Sequence, residues 1–139
     1  RQEGLVASPV LVPAAPQQED LMAAREYKGG CHCGAVRYTV TIDLEQPVVS
    51  CNCSMCGRAG TLLGFVGTTE FNLDSGDDVL TDYKFNKHVI HHTFCKVCGI
   101  KSFAHGLGPK GPMVAINTRC LDDVDVSKLT VVQYDGKSH

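Results

Sequence analysis

Seven of the eight cysteines in this chain stand in three tight groups, and no other residues in it offer so definite a chemistry. The groups read Cys31-His32-Cys33-Gly34, Cys51-Asn52-Cys53-Ser54-Met55-Cys56-Gly57 and Cys95-Lys96-Val97-Cys98-Gly99, with Cys120 alone. Short C-x-C and C-x-x-C elements present thiolates in pairs from tight turns, and zinc takes four such soft ligands in a tetrahedron. A glycine after each group lets the backbone pass through positive φ, so that amides can face the sulfurs. A disulfide framework is the rival reading for an even number of cysteines in a short chain. It fits poorly, because cysteines one or two residues apart close strained loops and no secretory signal is visible. Metal binding is therefore expected, with the reducing cytoplasm as the default compartment.

Groups of two, three and two cysteines can be divided in more than one way. Pairing Cys31 and Cys33 with Cys95 and Cys98 makes a closed four-thiolate site that joins two distant stretches of chain, as a structural zinc does. Cys51, Cys53 and Cys56 would then hold a second zinc through three thiolates. Its fourth position would stay open to water or substrate, the layout of a catalytic site. Adding Cys120 would close that position and leave two structural sites; spacing does not place Cys120, so both divisions stand. Either way the chain calls for two zinc ions. A three-thiolate site carries net negative charge and benefits from a nearby cation. Arg58, directly after Cys56-Gly57, and Lys101 are the candidates for that role and for binding substrate. Of the histidines, His32 would point away from a metal that both flanking cysteines face. His91 and His92 are adjacent on a predicted strand and should face opposite sides.

The elements that must position these groups are short strands. Residues 35–42 alternate polar and apolar side chains as a half-buried strand should. Residues 61–66, 79–85, 89–94, 113–117 and 130–134 read as further strands, with Asn86-Lys87 as a hairpin turn. Residues 74–78 and 106–112 are loops by composition. Helix is expected only as a turn after Cys53 and another around residues 124–129. Residues 1–25 differ: Pro9, Pro13 and Pro16 interrupt an Ala-, Val- and Gln-rich stretch, with room for one helical turn at residues 20–24. They read as an N-terminal extension or an expression remnant, with Met22 a possible native start, and residues 26–139 as the zinc-bearing domain. The fold class is mainly β. A net charge of −2 and the absence of a Lys or Arg block argue against nucleic acid as a partner. No run approaches the roughly 20 apolar residues of a membrane span.

The run from Gly30 to Tyr38, the Cys51-x-Cys53-x-x-Cys56 group, and His92-Thr93-Phe94-Cys95-x-x-Cys98-Gly99-Ile100 together resemble the glutathione-dependent formaldehyde-activating enzyme family, which includes the centromere protein V domain. Asn117-Thr118-Arg119-Cys120-Leu121 resembles a later segment typical of that family, and the likeness extends from about Tyr27 to the C-terminus. The resemblance implies a β-tent, in which zinc bridges small antiparallel sheets. It implies Cys31, Cys33, Cys95 and Cys98 as structural zinc ligands and Cys51, Cys53 and Cys56 as the catalytic zinc cluster. It also implies a carbon–sulfur lyase that joins glutathione, or another thiol, to formaldehyde or a related carbonyl compound. A zinc-stapled module for protein or nucleic-acid interaction, without catalysis, is the alternative, as the centromere-associated relatives suggest. The oligomeric state is not legible.

Overall fold

Val36, Tyr38, Val40 and Ile42 are buried while the residues between them are more exposed. This period-two pattern makes Arg37–Ile42 (β2) a strand with one face against the core. The computed structural model describes residues 24–84, 90–108 and 111–138. In it β2 is the centre of a three-stranded antiparallel sheet, flanked by Arg25–Gly30 (β1) and Phe71–Ser75 (β5). The second sheet has seven strands: Val48–Cys51 (β3), Leu63–Gly67 (β4), Leu80–Tyr83 (β6), His91–Cys95 (β7), Phe103–Gly108 (β8), Gly111–Asn117 (β9) and Val131–Tyr134 (β10). Their spatial order is β10-β3-β4-β9-β8-β7-β6, antiparallel except where β10 runs parallel to β3. Among the described residues the one α-helix is Ser54–Ala59 (α1), between β3 and β4.

The core lies between the sheets. Tyr38, Val40 and Ile42 of β2 meet Val66, Phe103, Val114 and Ile116 of the large sheet. Tyr38, Phe71 and Phe103 form an aromatic triangle with ring centroids 4.8 to 5.9 Å apart. The Tyr38 hydroxyl is fully buried and donates to the Ser102 carbonyl at 3.4 Å, so the ring is tied at its polar end as well. Cys31 and Cys95 belong to this same core cluster, which sets the first sulfur group at the edge of the apolar packing.

The molecule is mainly β with two sheets and cysteine groups able to bridge them, as expected of a β-tent, and the larger sheet includes one parallel pair, β10 with β3. Residues 106–112 are not a plain loop. Strands β8 and β9 pair as far as Gly108 and Gly111, because each ladder hydrogen bond outweighs the weak strand propensity of glycine. Residues 74–78 include the end of β5, and β1, β3 and β8 also lie where no strand was singled out. The turn after Cys53 is α1, and the one near residues 124–129 is a single 3-10 turn, Val126–Lys128. The N-terminal extension up to residue 23 and the Asn86-Lys87 turn lie outside the described residues.

Ile116 is fully buried where β9 meets the small sheet, whereas Leu107 is 69 % exposed. Ile116→Ala should therefore cost about 3 kcal/mol, and Leu107→Ala less than about 0.5 kcal/mol, in urea unfolding of the zinc-loaded protein.

Candidate metal centres

The first sulfur group is assembled from two hairpin loops, one from each sheet. Cys31 and Cys33 lie in the turn between β1 and β2; Cys95 ends β7, and Cys98 lies in the turn that follows. Their four ligand atoms all lie within 4.8 Å of one another. Cys31 and Cys33 sulfurs are 3.6 Å apart, and Cys33 and Cys95 sulfurs 3.7 Å. A tetrahedron with zinc–sulfur bonds of about 2.3 Å has edges of about 3.8 Å, so these separations fit zinc closely. All eight cysteines are free thiols, and the all-sulfur donor set suits the same soft metal.

Backbone amides are aimed at these sulfurs. The Val36 amide donates to Cys31 Sγ at 3.3 Å. Amides of Cys33 and Ile100 pull the Cys98 thiol down to about 6. Cys33 also faces an amide, that of Ala35, yet burial and the sulfurs of Cys31, Cys95 and Cys98 push it up to about 11. Four thiolates this close repel one another, and a divalent cation between them removes that repulsion. Gly34 and Gly99 do adopt positive φ, at 85° and 81°. The third expected glycine does not: Gly57 sits inside α1, donating to the Cys53 carbonyl at 2.8 Å, and Gly60 makes the left-handed turn at φ 70°. Three residues of helix are needed after Cys53 to bring Cys56 round, so the turn comes later.

The second group is built by α1. Cys51 closes β3, Cys53 is the N-cap, and Cys56 lies one turn on, its amide donating to Cys53 Sγ at 3.3 Å. The Cys53 amide donates to Cys51 Sγ at 3.4 Å. These three sulfurs lie within 4.8 Å of one another, and among the described residues no further Cys, His, Asp or Glu joins them. The three-sulfur donor set is chemically suited to the same metal, with one position left over. Burial and the neighbouring Cys53 and Cys51 push Cys56 up to about 12, the Thr61 hydroxyl acting in the opposite sense. Burial also opposes ionisation of Cys53, but amides of Cys56 and Met55 and the adjacent thiols hold it below the ordinary value. Cys120 is in neither group. Its sulfur lies 3.9 Å from the Lys101 carbonyl, and burial, followed by Cys31 and Cys98, raises its pKa to about 11.

Lys101 is half-buried, and although burial lowers its pKa, the charges of Cys56, Cys53 and Cys120 act to raise it. It therefore lies within electrostatic reach of the second group. Arg58 is exposed and donates to the Ser54 carbonyl of its own helix at 3.2 Å. It lines an open groove of about 480 Å³ with Met55 and Tyr83. His91 and His92 face opposite sides as expected. His91 contacts Asp82, whereas His92 is buried and held at about 4 by loss of water and by Lys101.

Several residues complete the second centre through contacts that sequence alone does not show, although Asn117 and Arg119 fall in the segment that resembles the family. The Thr61 hydroxyl is buried beside Cys56 with no nitrogen or oxygen partner. The Asn117 side chain accepts from the amides of Leu62 and Arg119 and donates to the Lys101 carbonyl, tying the exit from α1 to the segment that carries Lys101 ahead of β8. Arg119 adds a bond from Nε to the Gly60 carbonyl at 3.1 Å. The C-terminal stretch after β10 packs on the Cys51–Cys53 loop. Asn52 donates to Asp135 and accepts from the Lys137 amide, and a Cβ at Gly136 would lie 2.5 Å from Cys51 Sγ. Only contacts made by folding could reveal a glycine required there.

A solved structure of a Rhodobacter sphaeroides protein is similar to this one with a TM-score of 0.68 and 29 % identity, over 77 % of this chain and 98 % of that one. The family model described as glutathione-dependent formaldehyde-activating enzyme matches residues 26–135, a span that contains both sulfur groups and the strands that carry them. On that match the chain belongs to the glutathione-dependent formaldehyde-activating enzyme family.

Proposed function

We propose that the protein is a zinc-dependent carbon–sulfur lyase acting on adducts of glutathione, or another thiol, with formaldehyde or a related carbonyl compound. The observation that carries this reading is the inequality of the two sulfur groups, four ligands at one and three at the other. Cys31, Cys33, Cys95 and Cys98 would hold a structural zinc, and Cys51, Cys53 and Cys56 a catalytic one. When bound at the second group, zinc supplies positive charge and a coordination position at which a thiol stays ionised at neutral pH. In the synthetic direction one sulfur–carbon bond forms, the carbonyl π bond breaks, and the thiol proton ends on the new hydroxyl; lysis is the reverse.

The chain's own part is charge and position. A fourth sulfur beside three others increases the local negative charge, and the Lys101 ammonium offsets it from within electrostatic reach of Cys53 and Cys56. The Thr61 hydroxyl against Cys56 fixes that ligand. Arg58 on the rim of the α1 groove is suited to a carboxylate such as glutathione carries, through a paired hydrogen bond. Gly136 packs against Cys51 on another side. A cytoplasmic setting, where thiols stay reduced, belongs to the same reading.

Zinc counting on purified variants separates the two roles. Cys95→Ser should lose one zinc and with it the cooperative fold, because Cys95 is a buried core residue and ties the two sheets. Cys51→Ser should lose one zinc and keep near-wild-type unfolding; equal collapse of both variants would remove the support for an open site. Calorimetric titration of the two-zinc protein with glutathione should show saturable binding, abolished in Cys51→Ser and weakened about three- to tenfold in Lys101→Met, the loss of one partly buried charge contact. No binding at all would overturn the glutathione assignment. Gly136→Ala should loosen only the second zinc, by about 10- to 100-fold in chelator competition, since its new methyl must displace Cys51.

A further inference from the structure

The two faces of the large sheet carry different chemistry. Tyr83 and Asp82 are neighbours on β6 and so point to opposite faces. Tyr83 lines the α1 groove, on the side of the second sulfur group. Asp82 instead lines a cavity of about 410 Å³ between the two sheets. The floor of that cavity is apolar: Phe71 and Leu73 from β5, Leu80 from β6, Phe103 from β8 and Val114 from β9. The Phe71 and Phe103 rings lie 4.8 Å apart and tilted by 48°. At the mouth are Asp77, Asp82 and His105, and among the described residues neither lysine nor arginine lines it.

We propose that this cavity is a binding site for a small organic amine, its protonated nitrogen at Asp82 and Asp77 and its apolar body against Phe71 and Phe103. An apolar pocket with a few convergent polar groups is the usual form of a small-molecule site. Here the polar groups set the sign of the ligand. The His91 imidazole, bound at 2.6 Å to Asp82 Oδ2, holds the Asp82 carboxyl below its ordinary value, so the group is anionic at neutral pH. That bond uses Oδ2, and among the described residues no hydrogen bond takes up Oδ1. Burial and the charge of the stacked His91 ring, 4.6 Å away between centroids, hold His105 below the ordinary histidine value. An ammonium group is also attracted by the faces of aromatic rings, which carboxylates and alcohols are not.

The site is separate from the thiol chemistry proposed above, and its test reads separately. Isotope-labelled, zinc-loaded full-length protein is titrated with benzylamine, benzyl alcohol and benzoate while backbone amide shifts are followed. Benzylamine should bind saturably, with shifts at Leu80, Thr93 and Phe103, and should bind at least about tenfold more tightly than the other two, the weight of one charge contact partly shielded from water. Asp82→Asn should weaken benzylamine about three- to tenfold and leave benzyl alcohol unchanged. Asp77→Asn, which does not disturb the His91 contact, should weaken it by less. Equal affinity for all three probes would reduce the cavity to an apolar crevice and overturn the proposal. Shifts confined to α1, or an affinity unaltered in both variants, would do the same.

Discussion

The Cys33 and Cys95 sulfurs are 62 residues apart in sequence and 3.7 Å apart in space. Through them the hairpin loop of the three-stranded sheet is joined to the loop between β7 and β8 of the seven-stranded one. That junction decides how the two sheets face each other, and hence where the Tyr38, Phe71 and Phe103 triangle closes. Its cost is electrostatic. Sulfurs at this spacing repel when ionised, and the neighbouring sulfurs push Cys33 up while the amides of Cys33 and Ile100 hold Cys98 down. A chain of this size has only a modest apolar core, so a cation held at these four sulfurs would add to its stability by turning the repulsion into bonds.

The second group depends on the first only through the sheet. Its three sulfurs come from one short stretch, and local structure alone brings them together: the end of β3, the N-cap, and one turn of α1. What comes from far away is the surroundings. Asn117 and Arg119 from the end of β9 hold the exit of α1, and the stretch after β10 covers Cys51 through Asn52 and Gly136. A locally formed sulfur set within a distantly formed shell is free to adjust without disturbing the core. The four-sulfur group, half of whose ligands are core residues, has no such freedom.

Much of this was legible in the sequence because cysteine spacing is itself geometry. C-x-C and C-x-x-C fix how far apart two sulfurs can be, so two metal-binding groups could be expected before any fold was known, with only the place of Cys120 left open. The alternation in β2 was equally direct, since every second side chain there is buried. Reading failed where long-range pairing overrides composition. Phe103–Gly108 has two glycines in six residues and is still a strand, because β7 and β9 hydrogen-bond to it from both sides. β5 is an edge strand with a register shift opposite Arg37 and Tyr38, and Asp74 and Ser75 at its end carry the composition of a turn. The position of Cys120 was undecidable for the same reason. Its sulfur meets the Lys101 carbonyl only because Asn117 binds that carbonyl and turns the chain just before it.

His91 and His92 show how far a strand's alternation reaches into function. One residue apart, they lie on opposite faces of β7. His92 is buried and kept neutral by loss of water and by the Lys101 charge, on the side where the three sulfurs gather. His91 stacks on His105 and binds Asp82, on the side of the inter-sheet cavity. Sequence neighbours in a strand are thus poor evidence for a shared site, whereas cross-strand partners such as His91 and His105 are good evidence. Seen this way, the large sheet is a partition. The three sulfurs and Lys101 lie toward one face, and Asp82 with His91, His105 and the aromatic rings lies toward the other, although the Asp82 charge still reaches His92 across the sheet.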